Sequence, residues 1–257
     1  MTVHFIGAGP GAPDLLTLRA ADLIAAAPVV LYAGSLVPAA VVSRARPSAE
    51  VRDTSGMTLD EIVDQMAAAH RAGVDVARVH TGDPCLFGAI AEQMRRLDAL
   101  GIPYDVVPGV SSFTAAAAAL KRELTVPGVS QAVIVARAPG RTPVPDGQRL
   151  EDLSRHGATL ALFLSAGLVD EVVAALLPSY GPDCPVAVVH RASWPDQRIF
   201  RGTLASIAAE LRDAGVGATA MILVGPALAT DDFPDSRLYA ADFGHGCRAA
   251  RVRGKTP

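Results

Sequence analysis

Aromatic side chains are scarce in this chain: one tryptophan, four tyrosines and seven phenylalanines make 5% of 257 residues. Half of the residues are nevertheless apolar. A core built on alanine and valine suits strands covered on both faces by close-packed helices. Cysteine is scarce too. Cys85, Cys184 and Cys247 are odd in number, far apart, and without the paired spacing of a zinc site or redox motif. That excludes a disulfide scaffold and fits a reducing, cytoplasmic compartment. There is no basic excess: the net charge is −3, so no overall field draws the chain to nucleic acid. No apolar run approaches the roughly 18 to 20 residues needed to span a bilayer. The start, MTVHFIGAG, lacks the basic region and apolar stretch of a secretory signal. No membrane and no nucleic-acid partner are therefore expected. A Ser-His-Asp order, an HExxH helix and a Walker loop are all missing, which leaves hydrolytic and phosphoryl-transfer chemistry without residues.

What is present is alternation. Short apolar runs at His4 to Ile6, Val29 to Tyr32, Val74 to Val79 and Tyr104 to Val107 take turns with amphipathic stretches at Leu15 to Ala26, Ile62 to Arg71 and Ala89 to Leu100. This βαβα pattern predicts an α/β fold with a mostly parallel sheet. Pro108-Gly109 ends the fourth run, and Ser111-Ser112 can cap an alanine-rich helix continuing to Leu120. The turn-rich segment Thr125 to Ser130 reads as a junction. Beyond it the pattern restarts with strands at Gln131 to Ala136, Thr159 to Leu164, Pro185 to His190, Ile199 to Thr203 and Ala220 to Val224. Helices are expected at Val169 to Leu177 and Ser206 to Arg212. Two α/β domains follow, 1–120 and 121–243, with a solvated, poorly ordered basic tail over 244–257.

The chemistry gathers at strand ends. Val74 to Val79 runs into His80-Thr81-Gly82-Asp83-Pro84-Cys85-Leu86-Phe87-Gly88, an open turn with one carboxylate, where α/β sheets hold ligands. A tight turn feeding the next helix accounts for the same residues. The first strand runs into Gly7-Ala8-Gly9-Pro10-Gly11-Ala12, which superficially fits a dinucleotide fingerprint. The second strand, however, ends in Ala33-Gly34-Ser35 with no acid for a ribose, and Pro10 lacks an amide donor for a phosphate. The loop reads as a close-approach surface for a ligand without a pyrophosphate. His80 and His190 both close strands, but no metal-ligand spacing joins them, so no metal is assigned. Arg137, Arg141, Arg191 and Arg198 fall in expected loops, either as solvated arginines or as partners of substrate carboxylates.

Taken together, GAGPG, YAGSLVP at 32–38, HTGDPCLFG at 80–88, PGVSS at 108–112 and GRTPVPDG at 140–147 resemble the tetrapyrrole methylase family, over residues 2 to about 230. YAGSLVP, GRTPVPDG, ATLALFLSAGL and RASWPDQ narrow the likeness to members acting at C11 of precorrin-4 or its cobalt-bearing counterpart in cobalamin biosynthesis. The resemblance implies two α/β domains with S-adenosylmethionine in the cleft between them, S-adenosylhomocysteine as product, and a homodimer. It places Pro10 on the cleft floor and Thr81, Gly82, Asp83, Leu86 and Phe87 around the methionine part and sulfonium. Ser111 and Ser112 follow from the next strand end, and Ala166, Ala192, Thr219 and Ala220 would meet the adenosine through their backbone. Ala12-Pro13 stand where many relatives carry an acid, which makes Asp14 a helix N-cap. Tyr32, Ser35, Arg137, His190 and Arg191 are candidates for docking a carboxylate-rich tetrapyrrole. No catalytic residue is assigned. A nucleotide-dependent oxidoreductase and a non-catalytic tetrapyrrole carrier are the competing readings.

Overall fold

Apolar runs become the strands β1 (Val3–Gly7), β2 (Val29–Tyr32), β4 (Val76–His80) and β5 (Tyr104–Val107), while β3 (Glu50–Asp53) is a charged edge strand that the alternation did not mark. They form one sheet in the order β3-β2-β4-β1-β5, and every pairing in it is parallel. In the computed structural model, which describes residues 1–250, a second sheet follows in the order β6-β7-β10-β8-β9. Its strands are β6 (Val133–Arg137), β7 (Thr159–Phe163), β8 (Pro185–His190), β9 (Arg198–Thr203) and β10 (Ala220–Val224). Here only β6 and β7 run parallel; β10 is antiparallel to β7 and β8, and β8 to β9. The α/β class read from the alternation holds, with a parallel first sheet and a mixed second one.

The helices are α1 (Leu18–Ala26), α2 (Ala39–Val42), α3 (Leu59–Arg71), α4 (Ala91–Leu100), α5 (Ser112–Leu120), α6 (Leu150–Leu153), α7 (Val169–Tyr180) and α8 (Ile207–Asp213). Their starts follow capping chemistry. Thr17, whose hydroxyl accepts from the Ala20 amide at 3.1 Å, caps α1. Asp14 is thus not the N-cap expected of it; it lies in a single 3-10 turn, Pro13–Leu15, because Pro13 starts that turn one step earlier. Thr58 and Glu61 close a reciprocal capping box on α3, satisfying two otherwise orphaned donors. Ser111 occupies the N-cap position of α5 but makes no capping bond.

Each sheet is covered on both faces. α3 and α4 bury Ile62, Val63, Met66 and Leu97 against Phe5, Leu31 and Val76, while Ile24, Val41 and Val42 of α1 and α2 close on Ile6, Val30 and Val79. On the second sheet, α6, α7 and α8 bury Leu150, Leu176, Ile207 and Leu211 against Leu160, Leu162, Val188 and Ile222. The opposite face is covered by α5, whose Ala115, Ala116 and Ala117 pack on Ala161, Ala187, Val189 and Leu223. Although α5 follows the last strand of the first sheet, its packing belongs with the second, across the boundary expected at residue 120. Small side chains are what let it lie close. Of the basic tail, residues 244–250 are described, and there Arg248 folds back to donate to the Leu238 and Ala240 carbonyls at 2.7 and 2.9 Å. The expectation of a poorly ordered end at 251–257 lies outside the described residues.

At the carboxyl ends of β4, β1 and β5, three glycines bring main chain against main chain. A methyl on Gly7 would stand 2.6 Å from the Gly109 Cα and 2.7 Å from the Gly82 carbonyl oxygen, neither of which can yield as a flexible side chain would. Gly7→Ala is therefore expected to lose about 3 kcal/mol of stability, the upper range of overpacking. Urea unfolding would show this as a lower midpoint at unchanged slope.

Candidate active site

Three loops leave those strand ends and are tied to one another before any ligand arrives. Ala8 donates its amide to the His80 carbonyl at 2.7 Å, and Gly9 and Gly82 exchange amides at 3.2 and 2.8 Å. Asp83 supplies the remaining tie. One carboxylate oxygen accepts from the Cys85 amide at 2.8 Å and the other from the Gly109 amide at 3.1 Å. Both oxygens hold backbone, so Asp83 is a brace between the β4 and β5 loops rather than a free base.

The second half closes on the first through the turn after β8. The Trp194 indole donates to the Pro10 carbonyl at 2.9 Å, and the Ala12 amide donates to the Ser193 hydroxyl at 2.9 Å. Gly11 lies directly against the indole: a Cβ there would meet Trp194 Cδ1 at 2.1 Å. Arg191 stacks over the Trp194 ring at 4.1 Å and pairs with Asp196 at 2.6 Å, which stiffens the turn.

Between the two halves lies a cavity of about 630 Å³. Its walls combine the loops of the first sheet with Phe163, Leu164, Ala166, Ala192 and Gly217 to Met221 from the second. Backbone strain concentrates here. Among the described residues, seven non-glycine residues have positive φ, and five of them, Phe87, Ala89, Leu164, Arg191 and Thr219, line this cavity. Each such conformation costs on the order of 1–3 kcal/mol and persists where the surroundings impose it, as at ligand sites. Leu164 and Phe87 are also exposed, at 69% and 45%, leaving apolar surface at the mouth.

Of the expected cofactor residues, Pro10, Thr81, Gly82, Asp83, Leu86, Phe87, Ser112, Ala166, Ala192, Thr219 and Ala220 all line this cavity. Ser111 stands behind it, with its buried hydroxyl lacking any hydrogen-bond partner. The expected docking residues divide. Ser35, His190 and Arg191 line an adjoining polar cavity of about 480 Å³, and Arg191 borders both. Tyr32 and Arg137 line neither. The Tyr32 side chain packs with the α1 and α2 cluster. The Arg137 guanidinium turns back onto the Thr142 and Pro143 carbonyls, each at 2.8 Å, holding the Pro/Gly-rich loop. Arg141 lines neither cavity, and Arg198 donates to the Ala214 carbonyl at 3.3 Å.

Sequence reasoning passed over Arg78, Glu92, Gln93 and Trp194, all in the lining. Arg78 was visible as a charge inside an apolar strand, and Trp194 as the single tryptophan, sited within RASWPDQ. Among the described residues, no three of His, Cys, Asp and Glu come together as metal ligands.

Electrostatics set which groups can exchange protons. Burial, and next the Arg78 charge, push His80 down to about 3 against a weaker pull from the Gly88 backbone. Burial, then Asp83, raises the Cys85 thiol and keeps it protonated near neutrality. His190 is lowered by burial and by Arg198 and Arg191, with Asp196 opposing.

His80 therefore enters the folded state neutral. Between about pH 6.5 and 3 the unfolded chain binds a proton that folded His80 refuses, so its contribution to stability is complete above pH 6.5 and lost as pH falls. In denaturant titrations, His80→Gln is expected to lose less stability than the parent chain between pH 7 and pH 4.

Comparison with known proteins joins this geometry to a lineage. The profile of the family described as Tetrapyrrole (Corrin/Porphyrin) Methylases matches residues 2–208. A precorrin-4 C(11)-methyltransferase of Pseudomonas aeruginosa is 53% identical over 245 residues, which cover 95% of this chain and 98% of that one. A cobalt-precorrin-4 C(11)-methyltransferase of Methanocaldococcus jannaschii is 44% identical over 252 residues, 98% of this chain and 97% of that one. The X-ray structure of a cobalt precorrin-4 methyltransferase, a cobalamin biosynthetic enzyme, superposes with a TM-score of 0.87 at 46% identity, covering 89% of this chain and 96% of that one. A uroporphyrin-III C-methyl transferase of Thermus thermophilus, solved with S-adenosylhomocysteine, gives a TM-score of 0.74 at 30% identity, covering 89% and 99%. The two-sheet architecture, the paired strand-end loops and these matches lead to one assignment: the chain belongs to the tetrapyrrole methylase family.

Proposed function

We propose that the chain is an S-adenosylmethionine-dependent methyltransferase that methylates C11 of precorrin-4, giving precorrin-5 and S-adenosylhomocysteine in cobalamin biosynthesis. The observation that carries the reading is the cavity between the sheets, walled by backbone and small residues on one side and by braced glycine loops on the other. Relatives at 53% and 54% identity named precorrin-4 C(11)-methyltransferase supply the acceptor. The metal-free substrate is preferred over the cobalt-bearing one because the relatives named for the latter stand at 44% and 46%.

The residues present fit the cofactor. A nucleoside needs close backbone approach, and Ala166, Ala192, Thr219 and Ala220 offer little side chain to obstruct it. Ser112 lines the cavity, with the unpartnered Ser111 hydroxyl buried behind it. When bound, the cofactor supplies an electrophilic methyl group on sulfur. The protein's part is then to orient and to exclude water, which can account for up to about 7–11 kcal/mol of a barrier. Leu36, Leu59, Ile62, Leu86 and Phe163 give the apolar wall that keeps water from competing. Base catalysis before attack has little to stand on: Asp83 is engaged by two amides and His80 stays neutral far below physiological pH. The electron-rich acceptor carbon does the attacking. Glu92 is the acid of the lining without a protein hydrogen bond, which makes it the candidate acceptor for the proton released later.

The competing classes fare worse. A carrier using both histidines needs them on one ligand, but His80 and His190 line different cavities. A pyrophosphate would want the Gly9 and Gly82 amides, which bond to each other's carbonyls. The protein is taken to act as a homodimer of two-domain subunits in the cytoplasm; no helix of the described residues is long and apolar enough to cross a membrane.

Incubation with methyl-¹³C S-adenosylmethionine and enzymatically generated precorrin-4, with and without cobalt, tests the reading. A labelled methyl on C11 in the NMR spectrum of the product is expected, with faster turnover of the metal-free substrate. No labelled product from either substrate would contradict it.

A further inference from the structure

β4 carries two polar side chains into the face of the first sheet that α3 and α4 cover. Val76, Arg78 and His80 alternate onto that face, and Val76 belongs to its apolar cluster. Arg78 is 4% exposed and His80 7%. A guanidinium at such depth ordinarily faces a carboxylate, because an unpaired buried charge is costly. This one faces only neutral acceptors. Its Nε donates to Gln93 Oε1 at 3.1 Å, and Nη1 to Thr54 Oγ1 at 3.0 Å and the Leu31 carbonyl at 3.4 Å. Burial alone shifts it, down to about 10, with no acid opposing, and Glu92 on the same lining makes no ion pair with it.

The unused edge of the guanidinium is the informative one. Of the five N–H donors, the two on Nη2 make no hydrogen bond within the protein, and Arg78 lines the large cavity. Two residues along the strand, His80 lines the same cavity, and its buried Nε2 has no partner. Gln93, which positions Arg78, is itself fixed by its own amide on the Ala89 carbonyl at 2.8 Å. The cation is thus held from one side and open on the other. The open Nη2 on a fixed cation gives charge-assisted donors for a carboxylate oxygen, with the His80 ring beside it on the same lining.

We propose that Arg78 and His80 form a receptor for a carboxylate of the bound ligand, a proposal that rests on the reading of this cavity as a methyl-transfer site. Two sources share that chemistry: the amino-acid carboxylate of the cofactor and a peripheral carboxylate of the tetrapyrrole. Arg78→Gln and Arg78→Lys, measured by calorimetry with S-adenosylhomocysteine and by fluorescence quenching with uroporphyrin III, separate them. Arg78→Gln is expected to weaken one of the two ligands by about tenfold or more and the other by less than about twofold, with Arg78→Lys recovering part of the loss. The ligand that suffers names the source. In the unaltered chain, ¹⁵N-histidine spectra read the same contact, the Nε2 signal of His80 moving when that ligand is added. Unchanged affinities for both ligands in Arg78→Gln, with the His80 signal unmoved, would overturn the receptor. Because binding is read apart from turnover, a chain that binds selectively but transfers no methyl contradicts the methyltransferase reading and supports the receptor. A chain that turns over while both affinities ignore Arg78 contradicts the receptor alone.

Discussion

Contact of main chain with main chain at Gly7, Gly82 and Gly109 is the constraint on which the rest of the site depends. Parallel strands end side by side in any α/β sheet, but their following loops usually diverge. Here the missing side chains let the loops after β1, β4 and β5 close to backbone distance, so that Gly9 and Gly82 can bridge and Asp83 can reach the Gly109 amide. The result is a rigid floor whose amides are already satisfied. Such a floor offers a ligand shape rather than a phosphate cradle, which explains why a glycine-rich first loop here does not imply a dinucleotide.

The second half supplies what the first lacks. Its mixed sheet presents the turn after β8 and the segment before β10 to the cleft, and the turn is locked on the first half by Trp194 and Ser193. Positive φ at Leu164, Arg191 and Thr219 shows that these segments are held in costly conformations by the packing behind them. With α5 running from the end of the first sheet onto the face of the second, the halves are coupled through a helix as well as a contact. A cleft walled by two such elements is preorganised, which suits a reaction in which orientation and exclusion of water carry most of the work.

Much of this was legible in the residues. Alternation of apolar runs with amphipathic stretches gave nine of the ten strands to within a few residues, missing only the charged edge strand β3, and turn chemistry at strand ends marked the loops that line the cleft. What stayed hidden depends on neighbours distant in sequence. That Arg137 would fold onto Thr142 and Pro143 could not be read from a strand end, since the loop it holds has no periodicity. Tyr32 stands at a strand end but packs on the face that α1 and α2 cover, a distinction that needs strand register. Asp14 lost the cap of α1 to Thr17 because Pro13 nucleates a turn of its own first. Arg78 was read as part of an apolar run; its neutral surroundings come from α4 and from the residue after β3, both far away in the sequence.

The central claim is that the cleft between the sheets, floored by the glycine loops, holds S-adenosylmethionine. A crystal structure of the chain soaked with S-adenosylhomocysteine tests it most directly. The account predicts the nucleoside against the backbone of Ala166, Ala192 and Thr219, with the sulfur turned toward Thr81 to Asp83. Density for the ligand outside this cavity, or none at a concentration that saturates binding in solution, would contradict it.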